Sequence, residues 1–230
     1  PTLRRNPLNR STYCTRDPEV VDTIIIHHTA SDSNSTVQNI NTGHLRNRVG
    51  SREYWHMVGY HYLVNVAYSG EANPPVSVSQ GRPFEMVGSQ AGVGVYREAS
   101  AETRRLVARP TAFRCSNLRG RWSNTVPRAR TAGTRVLGNL NTVGVAVIGN
   151  YAPFSARNFT GYPRGRERYL TESGIDTLGR LACRIQREHP RVTTILPHNA
   201  FETDTDCPAN LERQLQAIRD AAARYGCRFN

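Results

Sequence analysis

Val21–His28, VDTIIIHH, is the stretch from which the fold is read. Residues 21–27 form a short, mostly β-branched run, the pattern of a strand buried at the centre of a sheet. His27 and His28 fall at its C-terminal end. Adjacent residues on an extended strand point to opposite faces, so only one of the two can serve a given site while the other packs or hydrogen-bonds.

Outward from this strand, the chain alternates strand-like and helix-like segments. Thr36 can cap a helix running to about Arg48, with Val37, Ile40, His44 and Leu45 on one side. Gly59–Val66 reads as a second strand, with Tyr60, Tyr62, Val64 and Val66 on one face and His61, Leu63 and Asn65 on the other. Residues 69–83 are rich in Gly, Pro and Ser and read as a turn and loop leading into a short strand near Phe84–Val87. Asn141–Tyr151, NTVGVAVIGNY, is an apolar run bounded by turn residues and is expected near the sheet centre. Thr171 can cap a helix to about Glu188, in which Cys183 projects away from the apolar stripe and favours a disulfide on the outer side. Val192–Leu196 is the last expected strand, and a final helix is expected to begin at Pro208.

That last strand and helix bracket Pro197–Ala209, PHNAFETDTDCPA, which supplies His198 and Cys207. Both side chains are good zinc ligands, and a third from the His27–His28 pair would complete the three-ligand set of a catalytic zinc with one open position. With the helix starting at Pro208, Cys207 becomes its N-cap, where the helix dipole favours the thiolate.

Composition narrows the partners without choosing among them. The 230 residues suffice for one domain with a sizeable core. The formal charge is +12, and all 30 basic residues are arginine. Such a charge suits a polyanionic partner: nucleic acid, an anionic surface or an acidic polymer. Nucleic-acid binding rests on charge alone, because little aromatic interleaving and no binding motif accompany the arginines. Residues 92–139 hold ten arginines against two acidic residues, a net +8. They read as an inserted subdomain or lid, and residues 1–20 as an extended arm, leaving residues 21–230 as a single domain. No stretch approaches the roughly 20 apolar residues of a membrane span. Pro1 reads as the start of a processed or trimmed chain. Of five cysteines, Cys14, Cys115, Cys183 and Cys227 remain if Cys207 binds metal, enough for two disulfides in any of three pairings, as in an exported protein.

Taken together, TIIIHHTA at 23–30, GYHYLVN at 59–65, GRPFEMVGSQAG at 81–92, NTVGVAVIGNY at 141–151 and HNAFETDTDCPA at 198–209 resemble the zinc-dependent N-acetylmuramoyl-L-alanine amidases. That family includes the peptidoglycan recognition proteins and T7-type phage lysozymes. The resemblance spans most of residues 21–222. It implies an α/β fold with a central mixed sheet flanked by helices, and zinc (Zn2+) held by His27, His198 and Cys207. Tyr60 matches the family's catalytic tyrosine, and Thr205 a position near the reacting carbonyl. The implied reaction is hydrolysis of the amide between N-acetylmuramic acid and L-alanine of the peptidoglycan stem peptide, by a secreted, periplasmic or extracellular protein. On this reading the Arg-rich segment docks on an anionic cell-surface polymer or roofs the substrate groove. The alternative is a non-hydrolytic peptidoglycan receptor of the same fold. Three positions depart from the family pattern: Ser89-Gln90 in place of Ala-His, Asn199 after the last histidine, and Ala209 in place of the Gly of Cys-Pro-Gly.

Overall fold

The computed structural model describes residues 14–31, 35–46, 48–49, 53–54, 57–66, 76–88, 90–91, 96–115, 134–151, 169–202 and 205–230. In chain order the strands are β1 (Cys14–Arg16), β2 (Thr23–His28), β3 (Arg48–Val49), β4 (Glu53–Tyr54), β5 (Tyr62–Val66), β6 (Val76–Gln80), β7 (Tyr96–Glu98), β8 (Phe113–Cys115), β9 (Arg135–Leu137), β10 (Thr142–Ile148) and β11 (Thr194–Pro197). The helices are α1 (Val37–Arg46), α2 (Ala101–Ala108), α3 (Glu172–Glu188) and α4 (Leu215–Arg224). Among the described residues, no helix is long and apolar enough to cross a membrane.

The central sheet has the order β11-β2-β10-β5-β6. Its first four strands are parallel and β6 runs antiparallel along one edge, so the sheet is mixed, as expected. All six residues of β2 and all seven of β10 are buried. This double burial accounts for their unbroken apolar character. Alternate side chains enter different layers. Ile24, Ile26, Val64, Val66, Val143, Val145 and Val147 join the main core with Leu178 and Ile185 of α3 and Ile218 of α4. Ile25 packs with Ala91 and Phe201, and Leu63 and Ile148 pack with Ile40 of α1. Helices therefore flank both faces. Thr171 caps α3 by accepting from Gly174 N, and Thr36 Oγ1 accepts from Asn39 N at the start of α1.

Several boundaries differ from expectation. β6 lies inside the segment read as loop: the alternation of VSVSQ is real, and its residues are half-exposed to exposed because the strand forms the sheet edge. Residues 84–87 form no strand, only a single bridge from Met86 to Thr15. β5 begins at Tyr62, so Tyr60 precedes it and escapes its alternation; it packs with the Leu63 group rather than with Tyr62, Val64 and Val66. The last helix does not begin at Pro208. Ala209 has φ 59°, outside helical geometry, and a 3-10 stretch over Ala209–Gln214 leads into α4.

The arm and the Arg-rich segment are described only in part. Residues 1–13, 92–95 and 116–133 lie outside the described residues. β1 pairs with β8, setting Cys14 opposite Cys115 in register, and Cys14 is disulfide-bonded. Arg16 is 4% exposed and donates to the carbonyls of Phe84, Asn139, Leu140 and Thr142. From the Arg-rich segment, Leu106, Val107, Ala112 and Phe113 enter the main core. Arg97 pairs with Asp22, Arg109 with Asp17 and Glu19, and Arg135 with Glu98. Cys183 forms a disulfide with Cys227. It lies apart from the main core, in a cluster with Ala222 and Cys227, and is 1% exposed because Tyr225 and Phe229 pack against that cluster.

Candidate metal centre

β2 carries the site because both its neighbours run parallel to it and all three end at the same edge. β10 sets Ala146 beside His27, and β11 sets Pro197 beside Ile26. The residue after Pro197 is His198, which therefore emerges alongside His27. There the chain turns sharply, Phe201 N donating to His198 O at 2.8 Å. Asn199 N donates to Cys207 O at 2.8 Å, closing the loop so that Cys207 returns to the end of β2. Open α/β sheets present ligands at this carboxyl edge.

His27, His198 and Cys207 converge as the sequence led one to expect, with one potential ligand atom from each within 4.8 Å of the others. His27 Nδ1 lies 3.7 Å from Cys207 Sγ, and the two imidazole centroids are 4.4 Å apart. Ligands about 2.0–2.3 Å from a tetrahedral zinc stand about 3.3–3.5 Å from one another, so the spacing fits such an ion after small adjustment. The hydrogen bonding fits as well. Among the described residues, His27 Nε2 and both ring nitrogens of His198 are buried without a hydrogen-bond partner, and a single ion could take one nitrogen of each ring. Buried polar atoms are rarely left so. Glu202 Oε2 comes within 3.2 Å of His198 Nε2 but out of hydrogen-bond alignment.

Electrostatics adds a condition. Burial lowers the pKa of His27 well below the ordinary value and that of His198 to about 4, holding both imidazoles neutral, the form that binds metal. The Cys207 thiol is pushed up to about 12, chiefly by burial and against a favourable contact from His28 N. That backbone N–H donates to Sγ at 3.4 Å. The N-cap explanation for a thiolate fails, because Cys207 lies ahead of a 3-10 stretch whose cap is Pro208. His28 N–H favours the thiolate, and a cation held by the cluster would favour it further.

The other named residues take distinct places. His28 faces the opposite side from His27, its Nδ1 accepting from Tyr151 N at 3.0 Å, as strand alternation requires. The Tyr60 ring stands 5.1 Å from that of His27, and burial, then Cys207, push its phenol above the ordinary value. Thr205 Oγ1 accepts from Cys207 N at 3.2 Å, bracing the cysteine loop. Gln90, at one of the departures from the family pattern, is 6% exposed; with its amide oriented to suit its neighbours it donates to Gly59 O and accepts from Gly144 N. Ser89 lies outside the described residues. Glu202 and the His28 amide went unrecognised in sequence. An acid four residues beyond a candidate ligand was a usable signal for the first, whereas nothing marked a backbone donor.

Sheet and cluster define an α/β protein with a three-ligand candidate metal centre at the carboxyl edge of its strands. Residues 17–210 match the family described as N-acetylmuramoyl-L-alanine amidase, and the chain belongs to that family. None of the curated proteins matches the sequence. Among solved structures, the chain is similar to the Ph2119 endolysin of a Thermus scotoductus bacteriophage, with 17% identity, 92% of this chain and 90% of that one covered, and a TM-score of 0.51. It is also similar to Drosophila peptidoglycan recognition protein SD, with 16% identity, coverage of 88% and 82%, and a TM-score of 0.49. A third is peptidoglycan recognition protein LE, solved in complex with tracheal cytotoxin, a monomeric diaminopimelic acid-type peptidoglycan; there the identity is 14%, the coverage 89% and 83%, and the TM-score 0.49.

Proposed function

We propose that this chain is a zinc-dependent peptidoglycan hydrolase that cleaves the amide between N-acetylmuramic acid and L-alanine of the stem peptide. The observation that carries the proposal is the convergence of His27, His198 and Cys207, one candidate ligand atom from each lying within 4.8 Å of the others. The family match supports amidase chemistry in general. Bound there, zinc would supply a Lewis acid that polarises the scissile carbonyl and lowers the pKa of water towards about 7.

The chain's own residues supply the remainder. His27 and His198 stay neutral and available as ligands, and His28 N–H steadies the Cys207 sulfur. Tyr60 keeps its proton at neutral pH, so it serves as a hydrogen-bond donor to the oxygen on which charge develops rather than as a base. Thr205 accepts from Cys207 N and retains its hydroxyl proton for the substrate carbonyl. The presence of Cys207 in the cluster weighs against the receptor alternative, which needs no third ligand.

Peptidoglycan is the proposed partner, and a secreted, periplasmic or extracellular setting follows from it. Within the Arg-rich segment, Arg97 and Arg109 pair with Asp22, Asp17 and Glu19, acids that lie outside it. The test is incubation of a soluble N-acetylmuramoyl-L-alanyl peptide with zinc-loaded protein, following new free α-amine. Release that stops on chelation and returns with zinc supports the assignment. Fragment binding without release would replace it with the receptor.

A further inference from the structure

Met57–His61 belongs to no helix or strand, yet it delivers Tyr60 to the cluster. A segment without its own ladder needs partners for each backbone polar group, and here side chains provide many of them. From one face of α1, Asn41 Oδ1 accepts from Val58 N at 2.8 Å and His44 Nδ1 from Gly59 N at 3.0 Å. The opposite pole of the segment is held by Arg82. Its Nε donates to Val58 O at 2.6 Å, one terminal nitrogen to Met57 O at 3.2 Å and the other to Val87 O at 2.7 Å. Its backbone N also donates to Tyr60 O at 2.9 Å.

Arg82 is 3% exposed, and among the described residues it has no carboxylate partner. Burying an unpaired guanidinium is costly. What it gains here is geometry: a rigid planar fork that fixes carbonyls from two separate segments at once. Gly81 belongs to the same arrangement, since a Cβ there would stand 2.4 Å from Tyr60 O and force the clamp open.

We propose that Arg82 is a positioning residue for Tyr60, its guanidinium and the α1 acceptor Asn41 together gripping Met57–Tyr60 so that the phenol is held against the metal centre. The inference rests on the donor role given to Tyr60 above. A lysine at position 82 can reach one of the three carbonyls but not all of them.

The test pairs kinetics with hydrogen exchange in the full-length zinc-loaded protein. Arg82→Lys is expected to lower kcat about tenfold to a hundredfold, the scale of a misplacement of about 1 Å, with KM and zinc content retained. In a Tyr60→Phe background the same substitution should change kcat less than about twofold, because the group it positions is gone. Asn41→Ala, a milder change, should show the same pattern if Arg82→Lys does not fold. Equal losses in both backgrounds would overturn the proposal. Exchange needs no substrate: in Arg82→Lys the Val58 and Gly59 amides should exchange faster while those of β2 and β10 do not, and unchanged exchange would overturn the clamp even if the amidase assignment stands. Faster exchange beside a fully active Tyr60→Phe protein would remove the role of Tyr60 and leave the clamp.

Discussion

Replacing Tyr60 with Phe removes one oxygen from the candidate centre and little else. The ring remains against the Leu63 group and 5.1 Å from the His27 ring, so packing survives, and the expected change in stability is under about 1 kcal/mol. Because burial holds the phenol protonated, the function lost on the proposed mechanism is that of a single donor to the developing oxyanion. Loss of one such donor costs about a hundred- to a thousandfold in kcat, roughly 3–4 kcal/mol. Zinc content should stay at the parent level, since Tyr60 is not among the three converging ligands. The assay is initial-rate release of stem peptide from soluble muropeptides, with bound metal quantified on the same sample. Parent-level kcat/KM in Tyr60→Phe would refute the donor role, and loss of zinc from the variant would show that the tyrosine supports the ligands instead.

Ala209 occupies φ 59°, a conformation that costs a residue with a Cβ about 1–2 kcal/mol. Allowing for the larger chain entropy of glycine, Ala209→Gly should raise stability by about 0.5–1 kcal/mol in urea unfolding; no gain would mean that the loop relaxes around alanine without strain. His44, lowered to about 4, and His61, lowered well below its ordinary value, are both kept neutral chiefly by burial. Because these folded-state values lie below the unfolded one, their contribution is complete above about pH 6.5 and is lost as the pH falls towards the folded values, at about 1.4 kcal/mol per pH unit for each histidine. The urea midpoint should therefore drop between pH 7 and pH 5, less steeply in His44→Gln, and a flat profile would contradict the burial argument.

Much of the candidate centre could be read from sequence because His27 and His198 sit at the ends of strands. The β-branched run before His27 required burial on both faces, the short strand before His198 pairs beside it at the sheet edge, and parallel strands in such a sheet end at a common edge. What escaped had no pattern to carry it. Arg16 looked like any other arginine of a polar arm, and only the three-dimensional path of β1 shows that it enters the core. β6 was obscured by the Gly, Pro and Ser around it, although its Val-Ser alternation was present. The expected face of Tyr60 was wrong because alternation was extended two residues ahead of where β5 begins. Cys207 was given a helix dipole that a left-handed residue two positions later rules out. The clamp on Met57–Tyr60 joins side chains from α1 and from the turn after β6, an arrangement that no local window of sequence contains.

The most direct measurement of the proposed chemistry is digestion of purified peptidoglycan in 18O-labelled water by the zinc-loaded protein, with mass analysis of both product pools. Hydrolysis of the muramoyl–alanine amide predicts free stem peptides beginning with unlabelled L-alanine, one 18O atom in the lactyl carboxylate of the glycan fragment, and neither product after chelation. Label appearing within the peptide, cleavage of the glycan strand, or wall that is bound but left uncut would contradict the assignment.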